Sequence, residues 1–145
     1  MKIVIDTNVM ISGLLWGGAP NQILKFCRDG IVSVIECDET INEVKSVLQY
    51  PKFSGRLSAL GVTAIEAFAY CMNLVIYVPS PNIIPDVVKE DPFDNTFLGL
   101  ATENSASLIV SGDSHLHVIE SYKNIQIVTP SEAVTVISNL LNKRK

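Results

Sequence analysis

The chain has 145 residues, a length that fits one domain with a sizeable hydrophobic core. Hydrophobic residues make up 48% of the sequence and charged residues 18%, which predicts a folded chain rather than a disordered one. The net charge of −4 argues against a simple basic-patch binder of nucleic acid, although bound metal ions can supply positive charge locally.

The sequence contains no apolar run near the ~20 residues that span a bilayer, so no membrane contact is expected. Asp6 interrupts the N-terminal apolar run too early for a signal peptide, and we expect a cytoplasmic protein. Three cysteines without a C-x-x-C pair predict buried, reduced thiols rather than a thiolate metal site. His115 and His117 lie two residues apart and lack the i, i+4 spacing of a zinc-binding helix, so their spacing does not favour a histidine site.

The N-terminal segment sets the pattern for the rest of the chain. Residues 3–5 form a β-branched apolar run, which favours a buried strand. Asp6 ends the run, and Thr7 and Asn8 are good capping residues for the apolar helix that follows. Asp6 should therefore lie at the carboxyl end of a strand, which is the edge where open α/β sheets bind ligands.

The remaining sequence alternates between helix and strand patterns. Further strands are predicted at residues 31–36, 74–78, 107–110 and 125–128. Helices are predicted at residues 21–28, 39–49 (capped by Asp38), 62–72, 92–103 and from Thr129-Pro130 onward, with a short helix or turn at 118–119. Residues 52–58 are predicted as a short helical or irregular link, 79–85 as a proline-rich loop, and 86–88 as an edge strand or turn. The alternation predicts a single α/β domain, residues 1–145, with a mainly parallel sheet, and a solvated tail at 143–145.

Two helices carry specific predictions. In the 62–72 helix, the side chains expected to be buried are Ile65, Phe68, Ala69 and Met72. In the 92–103 helix, Asp91 is the expected cap and Pro92 the first helical residue. Gly99 in the middle of that helix costs roughly 1 kcal/mol relative to Ala, which close helix–sheet packing would explain.

Acidic residues recur where this fold would place them together. Asp113 follows the strand at 107–110 as Asp6 follows the first strand, and parallel strands end at one edge of a sheet. Helices that follow strands begin at the same edge, which would bring Asp91, Asp94 and Glu43 there. Each acid alone also has a structural interpretation, as a helix cap or a solvated side chain, so their convergence is the informative feature.

Carboxylates that are packed together repel one another. Two unit charges about 4 Å apart cost about 4 kcal/mol at an effective dielectric constant of about 20. A protein relieves this repulsion by raising pKa values or by binding a cation. Hard oxygen ligands select Mg²⁺ or Mn²⁺, and these ions suit phosphodiester hydrolysis because they lower the pKa of the attacking water.

The motifs IDTN, a helical Glu in INEVKSVL, DPFDN before a helix and SGD after a strand occur in the order found in a known family. The chain resembles the PIN-domain family of metal-dependent ribonucleases, most closely the prokaryotic VapC-like branch of toxin components, from residue 2 to about residue 133. The resemblance implies a three-layer α/β/α sandwich and endonucleolytic cleavage of single-stranded RNA. It also implies three partners: an RNA substrate, a cognate antitoxin that blocks the acidic edge, and a second copy in a homodimer.

The resemblance also assigns roles to residues. The implied catalytic residues are Asp6, Glu43, Asp94 and Asp113. The implied ligands of Mg²⁺ or Mn²⁺ are Asp6, Asp94, Asp113 and Asp91. Thr7, Asn8 and Ser12 match polar positions that support the first acid or the substrate phosphate. His115 is a departure, because it stands where the family often has a second Asp after the SGD acid.

Two alternatives to a nuclease remain open at this stage. One is a catalytically weak PIN-like scaffold that acts through protein partners. The other is a regulatory α/β module. A phosphorylation receiver would need a Lys after a late strand, which neither SLIVSGD nor IQIV supplies, and a dehalogenase-like phosphatase would need an Asp where Asn8 stands.

Overall fold

The computed structural model describes residues 1–143, so Arg144 and Lys145 of the expected tail lie outside the described residues. The strands are β1 Lys2–Ile5, β2 Ser33–Glu36, β3 Ile76–Tyr77, β4 Leu108–Val110, β5 Ser121–Tyr122 and β6 Ile125–Val128. The α-helices are α1 Thr7–Leu15, α2 Ala19–Arg28, α3 Asp38–Leu48, α4 Ser54–Leu60, α5 Ala64–Leu74, α6 Asp94–Glu103, α7 Ser114–His117 and α8 Pro130–Lys143. A 3₁₀ turn, Pro51–Phe53, leads into α4.

The six strands form one sheet in the order β3-β2-β1-β4-β6-β5. All pairs are parallel except the edge pair of β5 and β6. The central strands β1 and β4 are short, and apart from the exposed Lys2 they consist of buried apolar residues, as expected of strands that are covered on both faces. The prediction of a mainly parallel α/β fold is confirmed.

Alternate strand residues point into two separate cores. Ile3, Ile5 and Val110 pack with α1 to α5 and α8 on one face, whereas Val4 and Ile109 pack with α6 and α7 on the other. The molecule is therefore a three-layer α/β/α sandwich, with the carboxyl ends of β1, β2 and β4 at a common edge.

The side chains predicted to be buried on the helix at 62–72 are mostly exposed. Ile65 is 74% exposed and Met72 is 37% exposed, Ala69 is also exposed and Phe68 is only half-buried. The residues of α5 that enter the core are instead Ala67 and Cys71. Because α5 is apolar on both faces, its periodicity cannot decide which face is covered.

Several predicted boundaries are corrected. The strand predicted at 74–78 is reduced to Ile76–Tyr77, residues 86–88 form no strand, and β5 was not predicted. Asp38 is the first residue of α3 and not its cap, a position that Cys37 occupies. The helix predicted at 92–103 begins only at Asp94, since Asp91 and Pro92 form a turn before it.

Gly99 allows a loop, not the sheet, to approach α6. A Cβ atom at Gly99 would lie 2.9 Å from the carbonyl oxygen of Ile83 and 3.2 Å from atoms of Pro81 and Pro85. Such distances are too short for an unmoved backbone, so the proline-rich loop can pack on α6 only because residue 99 has no side chain. The expectation of helix–sheet packing at this glycine is therefore wrong.

Within residues 1–143, no single helix is both long and apolar enough to cross a membrane. Only Pro51–Leu60 and Ala64–Leu74 taken together reach that length and composition, and an 80° bend separates them.

Candidate metal centre

Asp6 and Asp113 end neighbouring strands and begin helices. Asp6 follows β1 and caps α1, accepting a hydrogen bond on Oδ1 from the Val9 backbone N–H at 2.8 Å. Asp113 lies two residues beyond Ser111, at the end of β4, and caps α7 by accepting from the His115 N–H at 2.8 Å. Because β1 and β4 pair directly, the two acids share one edge of the sheet.

Ser111 links these two acids. Its buried hydroxyl donates to Asp6 Oδ2 and accepts from the Asp113 backbone N–H at 2.9 Å. The sequence analysis did not assign a role to Ser111, although its position in SGD, between β4 and the acid, was a signal for it. Burial is the main cause that raises the pKa of Asp6, the Asp113 charge adds to it, and the Ser111 hydrogen bond opposes it.

Asp94 is the most confined acid of the edge. It is the first residue of α6, is 5% exposed, and its Oδ2 atom is buried without a hydrogen-bond partner. Burial raises the pKa of Asp94 to about 7, with smaller contributions from the charges of Asp91, Asp113, Asp6 and Glu43. A buried, unpartnered carboxylate oxygen that faces four other acids is costly unless a cation or a proton neutralises it.

Glu43 and Asp91 complete the acidic edge. Glu43 is half-buried on α3, and burial, followed by the charges of Asp91 and Asp6, raises its pKa. The nearby Thr7 hydroxyl opposes the rise in the pKa of Glu43. Within residues 1–143, its buried Oγ1 atom has no partner at full hydrogen-bond geometry. Asp91 is exposed in the turn before α6, where its Oδ1 accepts from the Phe93 N–H at 3.2 Å.

Asn95 fixes the loop that carries Asp91. Its buried side-chain oxygen accepts from the backbone N–H groups of Val87 and Val88, at 3.0 and 2.8 Å. Its amide nitrogen donates to the carbonyl oxygens of Val88 and Pro92, at 2.9 and 3.1 Å. These four hydrogen bonds hold the segment on either side of Asp91 against the first turn of α6.

A cleft of about 270 Å³ opens beside the acids. Asn8, which is exposed, and Ser12, which is half-buried, line it together with Asp6 and Asp113. The polar residues predicted to support a substrate therefore lie next to the acidic edge. Their role, like that of each acid, stays a prediction.

His115 is the residue that the sequence analysis set aside and the structure brings to the acids. One ligand atom each from Asp94, Asp113 and His115 lie within 4.8 Å of one another. The unpartnered oxygen of Asp94 and this donor set are compatible with a divalent cation. Asp6 is outside that set of three, and its two oxygens accept hydrogen bonds from Val9 and Ser111.

The fold and the acidic edge together define a class, namely α/β proteins that gather carboxylates where parallel strands end. The family model described as PIN domain matches residues 2–115, so this chain belongs to the PIN-domain family. PIN domains are generally metal-dependent nucleases.

The fold recurs in a solved structure. The crystal structure of PAE2754 from Pyrobaculum aerophilum superposes with a TM-score of 0.65, covering 96% of this chain and 99% of that one. At 13% sequence identity this likeness shows the fold alone. No curated protein is significantly similar to this chain in sequence.

Proposed function

We propose that this chain is a Mg²⁺- or Mn²⁺-dependent endoribonuclease that hydrolyses single-stranded RNA in the cytoplasm. One observation carries the proposal: the buried, unpartnered Asp94 Oδ2 lies at the acidic edge, where burial raises the pKa of Asp94 to about 7 and the charges of the neighbouring acids add to this rise. Such a concentration of negative charge favours a divalent cation, and family membership makes nuclease chemistry the reading that fits it.

Asp6, Asp94 and Asp113 would hold the ion, with Asp91 as an added acid at the rim. The bound ion would supply an activated water and neutralise charge that develops on the phosphate. We assign to Glu43 a part in proton transfer beside the ion, because it is half-buried at this edge and burial raises its pKa. Asn8 and Ser12 offer neutral hydrogen-bond donors to a phosphate in the cleft, and the Thr7 hydroxyl supports the acids from beneath.

The test uses the full chain and a 5′-labelled single-stranded RNA. Cleavage is measured with Mg²⁺, with Mn²⁺ and with excess chelator, and is repeated with Asp113→Asn. A matched control is Asp29→Asn, which makes the same change at an exposed acid beyond the end of α2. We expect internal cleavage that requires metal, is lost in Asp113→Asn and persists in Asp29→Asn.

Cleavage that survives both chelation and Asp113→Asn would contradict the proposal, because it would come from a contaminant or from another site. Single-stranded DNA and double-stranded RNA of the same sequence serve as competing substrates. Equal cleavage of DNA would overturn the ribonuclease assignment while leaving a metal-dependent nuclease.

The toxin role is the finer part of the proposal, and it rests on the resemblance of the motifs to the VapC-like branch. We propose that a small antitoxin covers the acidic edge with an Arg or Lys side chain, and that the chain forms a homodimer. Induced expression should arrest growth in wild type but not in Asp113→Asn, and co-expression of a small neighbouring gene should relieve the arrest. Light scattering of the purified chain tests the dimer, which a monomeric mass would exclude.

A further inference from the structure

His115 extends the acidic edge with a nitrogen atom. It is the second residue of the short helix α7, and its backbone N–H donates to Asp113 Oδ1 at 2.8 Å. This bond holds the His115 backbone beside the acid, and the ring Nδ1 lies 3.4 Å from Asp113 Oδ1.

The distances suit a shared ion. One ligand atom each from His115, Asp113 and Asp94 lie within 4.8 Å of one another. Ligands around an octahedral ion at about 2.1 Å are separated by about 3 Å when adjacent and about 4.2 Å when opposite. The His115 side chain is 44% accessible, so its ring has room to change rotamer toward an ion held by the two acids.

Asp94 supplies a second observation. It is 5% exposed, and within residues 1–143 its Oδ2 atom has no hydrogen-bond partner, which leaves a buried carboxylate oxygen open to a ligand at this edge. After burial, the charges that raise the pKa of Asp94 most are those of Asp91, Asp113 and Asp6, which come from three separate segments of the chain.

We propose that His115 is a nitrogen ligand of the metal ion held by Asp94 and Asp113, so that the site binds a first-row transition ion in preference to Mg²⁺. Imidazole is a softer donor than carboxylate, and affinity for it rises across the first-row divalent ions. Mg²⁺ prefers an octahedron of oxygen atoms and gives up its water reluctantly. The inference rests on the proposed metal-dependent function, since it concerns the same centre.

The other histidine does not compete for this role. His117 is half-buried, and its Nε2 atom lies against the carbonyl oxygen of Ser111. The chain has only these two histidines, so a signal from an imidazole nitrogen must come from His115 or from His117. His117→Gln is therefore the matched control for His115→Asp, which converts the set to oxygen ligands alone.

The experiment measures the metal directly, without the reaction. Mn²⁺ binding to the full chain is followed by calorimetry, and Mg²⁺ by its competition with Mn²⁺. Pulsed electron paramagnetic resonance of the Mn²⁺ complex detects a directly bonded ¹⁴N nucleus. We expect nitrogen coupling in wild type and His117→Gln but not in His115→Asp, and a ratio of Mn²⁺ to Mg²⁺ affinity that falls about tenfold in His115→Asp.

Each other outcome overturns a defined statement. Saturable Mn²⁺ binding without nitrogen coupling in wild type, or coupling that persists in His115→Asp, would overturn the histidine ligand but leave the nuclease proposal standing. An absence of Mn²⁺ binding at millimolar concentration would overturn both. His115 is exposed, so the variant should fold, and an unchanged circular dichroism spectrum verifies that it does.

Discussion

Asp94 and Glu36 are two carboxyl groups buried to nearly the same degree, at 5% and 1% exposure. Burial is the first cause in both cases, and it raises the pKa of each to about 7. Each also leaves one oxygen, Asp94 Oδ2 and Glu36 Oε2, without a hydrogen-bond partner. By burial alone, the two acids are equivalent.

Their neighbours separate them. Asp94 lies at the open edge, where the charges of Asp91, Asp113, Asp6 and Glu43 all add to its burial. Glu36 ends β2 inside the molecule, where the Glu43 charge adds to its burial and the Thr40 hydroxyl opposes it. A buried carboxylate becomes a metal ligand where others converge on it, and takes a proton where it stands nearly alone. The comparison predicts that removing the Asp94 charge impairs activity and metal binding, whereas removing the Glu36 charge leaves both nearly unchanged.

The largest difference is expected in activity. Asp94→Asn should lower metal-dependent RNA cleavage by at least about a hundredfold, because loss of residues that merely support a metal ligand already costs 10–100-fold. Glu36→Gln should keep cleavage within about threefold of wild type, since Glu36 acts on the edge only through Glu43. Both are measured as kcat/KM on one RNA. Equal losses in the two variants would break the distinction and make Glu36 a member of the site.

The next effect concerns stability and pH. The folded-state pKa of Glu36, about 7, lies above its usual value of 4.5, so the folded chain holds this proton more tightly than the unfolded chain. Its contribution to stability is full below pH 4.5 and is lost as the pH rises through 7. Glu36→Gln should therefore be more stable than wild type by up to about 3 kcal/mol at about pH 8, and by about 1 kcal/mol or less at about pH 5.

Urea unfolding of the two proteins at both pH values measures this difference. Except for Glu43, whose charge is coupled to that of Glu36, the substitution leaves the other acids of the edge unchanged, so most of the difference comes from Glu36. A stability gap that does not change with pH would mean that Glu36 is not protonated in the folded chain.

A slightly smaller effect is expected from the ion itself. Mn²⁺ at about a hundred times its dissociation constant should stabilise wild type by about 2.7 kcal/mol, which corresponds to roughly 8 °C in Tm. Asp94→Asn should raise the Tm of the metal-free chain, because one buried charge is removed. It should also abolish the Tm shift on adding Mn²⁺, because a proposed metal ligand is lost. Glu36→Gln should keep the full shift, as scanning calorimetry with and without chelator will show. An Mn²⁺ shift that survives in Asp94→Asn would move the ion away from Asp94.

Much of this contrast was readable from the sequence, because it depends on local patterns. The apolar runs placed β1 and β6 correctly, and acids directly after buried strands placed Asp6 and Asp113 at one edge. The parallel arrangement followed from the alternation of strands and helices. These features are set within a few residues of chain.

The remainder depends on contacts between distant segments. Glu36 ends a predicted strand as Asp6 does, but its burial depends on how distant segments of the chain pack around the end of β2. Ile65 and Ala67 are both apolar on one helix, and the periodicity of α5 could not tell which faces the core. His115 reaches Asp94 because α6 begins beside α7, which no spacing along the chain predicts.

The smallest effect is expected where a neutral group, not a carboxylate, is removed. Ser111→Ala deletes the hydroxyl that donates to Asp6 Oδ2 and accepts from the Asp113 N–H, so both acids at the strand ends lose a fixed partner. Because Ser111 touches no substrate and acts through the acids, kcat/KM and Mn²⁺ affinity should fall together by about tenfold, at the lower end of the range for such supports. The loss of the Ser111 hydrogen bond should raise the pKa of Asp6 further, which a shift of the pH–rate profile to higher pH would reveal.

Ser111→Thr keeps the hydroxyl and should restore part of the activity. A loss of stability in Ser111→Ala with unchanged Mn²⁺ affinity and an unchanged pH profile would make Ser111 a packing residue of β4 and would confine the acidic edge to the carboxylates themselves.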